Sequence, residues 1–231
     1  MIDPDRLRLA LAETRDAVDA AAIRAGRRPG AVEIVLAGKY VPADDAPALV
    51  EAGAPIIGEN RLQDLEAKRG VVGDALTYDF IGHLQRRKVR AVVEVARLVH
   101  AVDSEPLAHE IDARSHDPVR VLVEVNLAET PTKYGIFPGK IEVFLESVSR
   151  FPRIVVGGLM ALPPADPDPE HSRPYFAQLR SLNEGLAERW VGRHDLRDLS
   201  MGTSQDFVVA AEEGATIVRI GRSIIDRSQV S

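Results

Sequence analysis

The chain of 231 residues contains no cysteine, only five lysines beside 24 arginines, and few aromatic residues (5%). The absence of cysteine excludes disulfides, thiol catalysis and thiolate metal sites, and it fits a reducing compartment. No apolar run approaches the roughly 18 residues that a membrane span needs. The charged, amphipathic N-terminus also lacks the apolar segment of a signal peptide. We therefore expect a soluble cytoplasmic protein.

Two further classes of function have little support in the composition. The net charge is −6, so a nucleic-acid partner held by bulk electrostatics is not expected, and the locally basic stretches 61–69 and 84–90 have the pattern of solvated helix faces. The six histidines are scattered with no ligand-like spacing, so no metal site is expected. What remains is an ordinary globular composition, 45% apolar and 28% charged, which can bury a substantial core.

Two kinds of segment alternate along the chain. Short runs rich in β-branched residues predict buried parallel strands at 32–38, 55–58, 78–82, 97–102, 119–126, 153–160, 195–202 and 215–221. Apolar residues three or four apart predict helices at 44–52, 60–69, 84–95, 104–115, 138–149, 171–189 and 204–213. A further helix is predicted at 4–25, before the first strand.

This alternation predicts an α/β fold, a single (β/α)₈ TIM-type barrel with an extra N-terminal helix. A doubly wound open sheet is the structural alternative. No helix of useful length is predicted after the eighth strand, so the leading helix is expected to cover the place of an eighth helix. With no linker and no break in composition, we predict one domain over residues 1–231.

In such barrels the active site lies at the carboxyl ends of the strands. Lys39 follows the first predicted strand, in a chain that otherwise prefers arginine. A lysine, unlike an arginine, can lose its proton and attack a carbonyl carbon, so Lys39 is a candidate for a Schiff base. The alternative is a lysine whose ammonium group simply reaches water.

Two loops rich in glycine and hydroxyl side chains follow the seventh and eighth predicted strands. They read "SMGTSQD" (200–206) and "RIGRS" (219–223). Glycines let the backbone approach an anion, and this is the usual phosphate site of barrels. Ordinary helix capping by Ser204 and a tight turn at Gly221 are the alternative. Since the first strand adjoins the eighth in a closed barrel, Lys39 is expected beside this site, and pyridoxal 5′-phosphate (PLP) is the leading candidate ligand.

Arg219 lies within the eighth predicted strand, between apolar residues. An arginine that points into a barrel needs an acceptor. A pyridine nitrogen would be kept unprotonated by it, whereas a structural ion pair with a core carboxylate such as Glu124 is an equal alternative. His83, after the third strand, can stack or hydrogen-bond near the site, or bond to backbone.

At this point the motifs "LAGKYVP", "FIGHLQRRK", "LSMGTSQDF" and "GATIVRIG" are recognisable. Together with the intervening segments, the chain resembles the pyridoxal phosphate homeostasis proteins in order and spacing over essentially its whole length. The resemblance implies a barrel similar to the N-terminal domain of alanine racemase, with PLP bound as a Schiff base. By resemblance Lys39 is the Schiff-base lysine and Arg219 faces the pyridine nitrogen.

The same resemblance assigns the rest of a cofactor-binding site. The residues that match the phosphate-binding loops are Ser200, Gly202, Ser204, Gly221, Arg222 and Ser223. The residues that match the lining of the pocket are Asn60, His83 and Met160.

Four residues depart from the usual pattern of that family. Tyr40 stands where a threonine is common, Gly38 replaces a usual serine, and Arg61 replaces an aromatic residue. Arg222 stands where a small residue is frequent and could add a phosphate contact or project outward. None of these changes removes the lysine or the glycines.

The resemblance implies a PLP-binding protein of intracellular PLP homeostasis without robust catalysis, rather than an enzyme. The alternative is a weak PLP-dependent racemase of small amino acids; alanine racemases use a second base from another domain, which this sequence does not show. A barrel aldolase that uses Lys39 without PLP is a third interpretation. PLP-dependent apo-enzymes are candidate partners, and a monomer without nucleic acid or membrane is expected.

Overall fold

A computed structural model describes residues 1–229 as alternating strands and helices. The strands are β1 (Glu33–Ala37), β2 (Ile57–Glu59), β3 (Tyr78–Phe80), β4 (Leu98–Val102), β5 (Val119–Glu124), β6 (Ile154–Met160), β7 (Asp198–Ser200) and β8 (Ile217–Ile220). The helices are α1 (Pro4–Arg24), α2 (Ala46–Glu51), α3 (Leu62–Val72), α4 (Val89–Val93), α5 (Glu105–Arg114), α6 (Ile141–Val148), α7 (Arg173–Arg189), α8 (Phe207–Glu212) and α9 (Arg222–Ser228).

The eight strands close into a parallel barrel. Each strand pairs with the next, and β8 pairs back with β1 in a register that sets Val35 beside Arg219 and Leu36 beside Ile220. This confirms the predicted (β/α)₈ TIM-type barrel and excludes the open sheet. The predicted extra N-terminal helix is also present, and Asp3 caps it by accepting bonds from the backbone of Asp5 and Arg6.

The chain after β8 differs from the prediction. Arg222–Ser228 forms a short helix, α9, whose Ile224 and Ile225 are buried. Helix α1 packs against both α8 and α9. The leading helix therefore covers a short eighth helix instead of standing in for a missing one. Seven residues carry too little periodic pattern to be recognised in the sequence.

Several strands are shorter than predicted, with β2, β3 and β7 spanning three residues each. Residues 55–56 and 195–197 precede β2 and β7 at their amino ends, whereas residues 81–82 and 201–202 enter the loops at the carboxyl ends of β3 and β7. Two predicted helices likewise begin with a turn of 3₁₀ helix, at Arg86–Lys88 and Pro138–Lys140. Each long apolar run of the sequence thus forms a short strand of the barrel and part of an adjoining loop.

Two apolar clusters hold the barrel together. The larger lies between the barrel wall and the helices, and it includes Phe80, Leu36 and Phe176. The smaller cluster consists mainly of strand side chains that point into the barrel, among them Val35 and Leu122, and it fills the barrel interior. Among residues 1–229 no helix has the length and apolar character to cross a membrane.

Ion pairs surround the amino ends of the strands. Arg97 contacts Glu33 and the fully buried Asp79, and its Nη2 lies 2.6 Å and 2.7 Å from their carboxylates. Arg120 pairs with Asp195 and Asp198 in the same region. We call this end the amino mouth. Its buried carboxylate therefore has a cation beside it.

Candidate functional site

A cleft of about 280 Å³ opens at the carboxyl ends of the strands. We call this end the carboxyl mouth. Residues after six of the strands, or within them, line the cleft: Ala37, Lys39, Tyr40, Asn60, Ile81, Leu162, Thr203, Ser204, Gln205, Arg219, Gly221 and Arg222. Six residues of the predicted site are therefore gathered here, namely Lys39, Asn60, Ser204, Arg219, Gly221 and Arg222.

Lys39 lies on a turn of 3₁₀ helix, Gly38–Tyr40, that follows β1 directly. Because β1 pairs with β8, this turn lies beside Gly221, as the closed barrel predicts. The Lys39 side chain is exposed, so its amino group reaches water. Its Nζ is 4.9 Å from the centre of the Tyr40 ring. An amine is therefore available at the surface of the cleft.

A buried ion pair supports the turn that carries Lys39. Glu59 is fully buried at the end of β2, and Lys68 of α3 lies 2.9 Å from its Oε1. Burial raises the pKa of the Glu59 carboxyl, although Lys68 opposes that change. A Cβ added at Gly38 would lie 2.0 Å from Glu59 Oε1. The Glu59 carboxylate thus fills the space that a larger residue at position 38 needs.

Tyr40 packs between the turn and the loop after β8. A Cβ at Gly221 would lie 2.8 Å from Tyr40 Cδ2, so the ring lies directly against that glycine. The Arg222 guanidinium carbon is 5.8 Å from the ring centre. Burial by itself raises the pKa of the Tyr40 phenol, but Arg222 and Lys39 outweigh it, and the pKa is lowered below its usual value.

The loop after β7 is shaped by one glycine and one aspartate. Gly202 has a φ of +92°, and a Cβ there would lie 2.5 Å from the Cβ of Ala210 in α8. Asp206 accepts hydrogen bonds from the Thr203 backbone N–H (2.7 Å) and from the Ser172 hydroxyl (2.8 Å). Gly202 therefore allows the loop to turn close to α8, and Asp206 holds Thr203 at the cleft.

The two glycine loops meet through Ser204. Its Oγ accepts hydrogen bonds from the backbone N–H groups of Gly221 (3.2 Å) and Ser223 (3.4 Å). The exposed Arg222 lines the cleft between them. Ser223 Oγ is buried and has no hydrogen-bond partner among residues 1–229. The Ser204 hydroxyl proton and the Arg222 guanidinium therefore converge at one end of the cleft, which is suited to an anion.

Arg219 is buried beneath the cleft. Its Nη1 donates to the backbone oxygen of Ser200 (2.8 Å) and to the Ser200 hydroxyl, and its Nη2 donates to the Ala161 oxygen (3.0 Å). No ion pair joins Arg219 to Glu124, so the structure does not form the ion pair considered as an alternative. Burial lowers the pKa of the Arg219 guanidinium to about 10, and it remains charged at neutral pH.

Glu124 ends β5 and faces the same interior. Burial, and then the negative charge of Asp103, raise the pKa of its carboxyl to about 7, while Arg219 opposes this change. Its carboxylate forms no ion pair with any side chain of residues 1–229. A carboxyl group that titrates near neutral pH therefore lies at this mouth.

Five predicted site residues do not line the cleft: Ser223, described above, and four others. Ser200 is fully buried below it, bonded to His100 and Arg219, and Met160 belongs to the interior apolar cluster. His83 is exposed at the rim, where its ring stacks on Tyr134 at 3.9 Å between centroids and its Nδ1 lies 3.6 Å from Asp103. Gly202 shapes the loop from behind. Their predicted contacts with a cofactor stay predictions.

Sequence reasoning did not assign several residues that line the cleft. Tyr40 and Gln205 line the cleft, although neither is among the cofactor-binding residues that the sequence predicts. Tyr40 follows Lys39 and Gln205 follows Ser204 in the sequence, and this adjacency could have indicated that both line the cleft. Asp206 had no such signal, because its role depends on the fold of its own loop. No group of three or more metal-ligating side chains occurs within residues 1–229.

Comparison with known proteins connects this geometry to a family. No protein-family model matches the chain. The chain is 38% identical over 215 residues to the pyridoxal phosphate homeostasis protein of Aquifex aeolicus, covering 91% of this chain and 93% of that one. It is 33% identical over 225 residues to the Escherichia coli (strain K12) protein of the same name, covering 93% of each.

A solved structure, PipY of Synechococcus elongatus with PLP bound, superposes with a TM-score of 0.82 at 28% identity. The match covers 95% of this chain and 99% of PipY. The residues that line the cleft can therefore be tested against a specific ligand.

Proposed function

Because the chain belongs to the pyridoxal phosphate homeostasis protein family, we propose that it binds PLP as a Schiff base on Lys39 and serves intracellular PLP homeostasis. The relatives carry that name, and PipY was solved with PLP bound. The observation that carries the proposal is the Lys39 amine on the same cleft as the converging donors of the Ser204, Gly221 and Arg222 region. When bound, PLP supplies an aldehyde for an amine and a ring that accepts electrons.

The residues of the cleft fit each part of that ligand. Lys39 offers the primary amine that an aldehyde requires. The Arg222 guanidinium and the Ser204 hydroxyl offer donors to a phosphate, because Ser204 Oγ only accepts from the Gly221 and Ser223 backbone N–H groups and keeps its own proton to donate. Apolar side chains of Ile81 and Leu162 line the space for the ring.

Arg219 offers the matching group for the ring nitrogen. A guanidinium has only donors, so a hydrogen bond from Arg219 requires the lone pair of an unprotonated pyridine nitrogen. Holding that nitrogen unprotonated weakens the ring as an electron acceptor. Arg219 thus favours binding of the cofactor over the carbanion chemistry of most PLP enzymes, which supports a role without robust catalysis.

The near-visible absorbance of the protein after incubation with PLP tests the proposal, before and after borohydride reduction. We expect a Schiff-base band in the wild type and in Lys140→Ala, an exposed-lysine control, and none in Lys39→Ala. Mass spectrometry of the reduced protein should locate the added mass on the peptide that contains Lys39. A reduced adduct on another lysine, or no band in any of the three proteins, would contradict the assignment.

The alternative function, a weak racemase, needs a second acid–base group on the far face of the cofactor. Among the side chains that line the cleft, Lys39 and Tyr40 are the candidates for proton transfer, and both lie on the Gly38–Tyr40 turn. Interconversion of L- and D-alanine by the PLP-loaded protein, lost in Tyr40→Phe, would favour the racemase. We expect no turnover above free PLP in either protein.

The same proposal includes three statements about cellular behaviour. The protein is a cytoplasmic monomer, residues 1–231 act as one domain, and PLP-dependent apo-enzymes receive the cofactor. Light scattering measures whether the protein is a monomer in solution, and cell fractionation tests whether it is cytoplasmic. Reactivation of an apo-aminotransferase by the loaded protein, in the presence of a trap for free PLP, tests direct transfer. Reactivation that the trap abolishes would contradict it.

A further inference from the structure

A continuous series of hydrogen-bonded side chains crosses the barrel interior from the amino mouth to Arg219. Arg97 donates to both carboxylate oxygens of Asp79, at 2.9 and 2.7 Å. His100 lies between Asp79 (3.0 Å from Nε2) and Ser200 (2.9 Å from Nδ1). The Ser200 hydroxyl also accepts from Arg219 Nη1. Asp79, His100 and Ser200 are all 0% exposed. We call these three residues the interior relay.

The ends of the interior relay determine where its protons lie. Asp79 is a carboxylate and can only accept, so His100 donates to it through Nε2–H. Nδ1 of a neutral His100 is then an acceptor, and the Ser200 hydroxyl donates to it. Arg219 has only donors, so it donates to the oxygen of Ser200. Every bond in the series thus has one donor and one acceptor.

The charge states of Asp79 and His100 favour this arrangement of the protons. Burial alone raises the pKa of the Asp79 carboxyl, but the bonds from His100 and Arg97 outweigh it and the pKa is lowered. Burial lowers the pKa of His100, although Asp79 opposes that change. An ionised Asp79 and a neutral His100 therefore coexist at neutral pH. With the opposite tautomer of His100, the Asp79 carboxylate would face a bare nitrogen.

The interior relay leaves part of Arg219 for the cleft. Nη1 donates to the backbone oxygen and the hydroxyl of Ser200, and Nη2 donates once, to Ala161. The Nε–H and the second Nη2–H have no acceptor within residues 1–229. The Ser200 hydroxyl holds the guanidinium at Nη1 by accepting a hydrogen bond. This bond fixes the orientation of the guanidinium, and therefore the direction of its remaining N–H groups toward the cleft that Arg219 lines.

We propose that Asp79, His100 and Ser200 are positioning residues that aim the Arg219 guanidinium at the ring nitrogen of PLP, an inference that rests on the proposed function. Ser200 therefore acts through Arg219 and does not touch the phosphate. The position of a side chain buried below the cleft is consistent with this role and not with a phosphate contact.

Two ligands separate positioning from general structural support. The ligands are PLP and 1-deazapyridoxal 5′-phosphate, in which a C–H replaces the ring nitrogen, and the affinity of each is measured by absorbance titration. We expect Ser200→Ala to weaken PLP binding about tenfold, the size of a partly lost charge-assisted hydrogen bond. Its affinity for the deaza ligand should equal that of the wild type, because that ligand offers Arg219 no lone pair.

Two control variants accompany Ser200→Ala. Ser200→Thr keeps the hydroxyl and should retain most of the PLP affinity. Ser115→Ala removes another buried serine hydroxyl, which donates to the Ile111 oxygen at 2.6 Å at the end of α5, and should leave both affinities unchanged. Equal weakening of both ligands by Ser200→Ala would overturn the proposal, and so would unchanged PLP affinity.

A measurement on the protein without cofactor tests the interior relay independently of PLP. In the ¹⁵N spectrum of the histidine rings, we expect His100 to be neutral with its proton on Nε2, and its Nδ1 resonance to move in Ser200→Ala. A proton on Nδ1 in the wild type would overturn the proton order. Failure of the wild type to bind PLP would instead contradict the proposed function. In that case the ¹⁵N spectrum would still show which nitrogen of His100 carries the proton.

Discussion

The two mouths of the barrel differ in how their charged groups are partnered. At the amino mouth, Arg97 and Arg120 each contact two carboxylates. At the carboxyl mouth, Lys39 and Arg222 form no ion pair within residues 1–229, and Asn60 Oδ1 is buried without a hydrogen-bond partner there. Buried polar groups are ordinarily partnered within the protein. The difference indicates that the amino mouth serves stability and the carboxyl mouth serves a ligand.

Removing a cation from the amino mouth should have the largest effect on stability. Arg97→Leu leaves the fully buried Asp79 with His100 alone, and we expect the free energy of unfolding to fall by about 3 kcal/mol. Urea denaturation measures this change. Arg69→Leu is the matched control, since its partner Asp74 is exposed, and it should cost less than about 1 kcal/mol. Equal losses in the two variants would remove the distinction between a buried and a surface pair.

Removing a charge from the carboxyl mouth, by contrast, should raise stability when the charge is that of Glu124. The pKa of Glu124 is raised to about 7 by burial, so the folded protein binds this proton more tightly than the unfolded chain does. The contribution of Glu124 to stability is therefore greatest at low pH and falls as the pH rises through the window from about 4.5 to 7. Glu124→Gln carries no such charge and should be more stable than the wild type at about pH 8.

The size of the Glu124 pKa change limits that gain to about 3 kcal/mol. At about pH 4 the variant and the wild type should be close in stability, because Glu124 is protonated in both states. Urea denaturation at the two pH values measures the difference, and Glu188→Gln, on the exposed surface of α7, is the control. A variant less stable than the wild type at the higher pH would show that Glu124 is stabilised as an anion.

Gly38, one of the four positions that depart from the expected family pattern, tests how tightly the carboxyl mouth is packed. Gly38→Ser introduces the residue that the family resemblance leads us to expect, but its Cβ would lie 2.0 Å from Glu59 Oε1. Moving that carboxylate disturbs the pair with Lys68, so we expect a loss of about 1 to 3 kcal/mol in unfolding experiments. Gly139→Ser, where no atom lies within 4 Å of an added Cβ, should be tolerated. A neutral Gly38→Ser would mean that the turn adjusts freely.

Much of the fold was predictable because it depends on local pattern. The alternation of β-branched runs with helical periodicity predicted eight strands, and closure of the barrel then predicted that Lys39 would lie near β8, as the register shows. The first strand was predicted to run to residue 38, directly before Lys39, but β1 ends at Ala37 and the lysine is exposed on the following turn. Strand ends depend on the surrounding loops, so sequence pattern alone does not determine them.

The contacts across the barrel could not be predicted from spacing. His100 and Ser200 are a hundred positions apart, and they meet only because β4 and β7 face each other through the interior. The family resemblance placed Ser200 with the phosphate loops, two residues before Gly202, whereas its side chain contacts His100 and Arg219 inside the barrel. Residues of one motif can thus serve different parts of a site, because β7 ends at Ser200 and the backbone turns at Gly202, whose φ is +92°.

The smallest effect is expected at Arg222, and it should appear in ligand binding alone. Arg222 is exposed, lines the cleft and has no ion pair within residues 1–229, so Arg222→Thr should change the free energy of unfolding by less than about 0.5 kcal/mol. PLP affinity should fall about fivefold at low ionic strength and by less at high salt, because a guanidinium–phosphate contact is screened. Pyridoxal, which lacks the phosphate, should bind both proteins alike. If pyridoxal affinity falls to the same extent, Arg222 acts through its contact with Tyr40 and not through the phosphate.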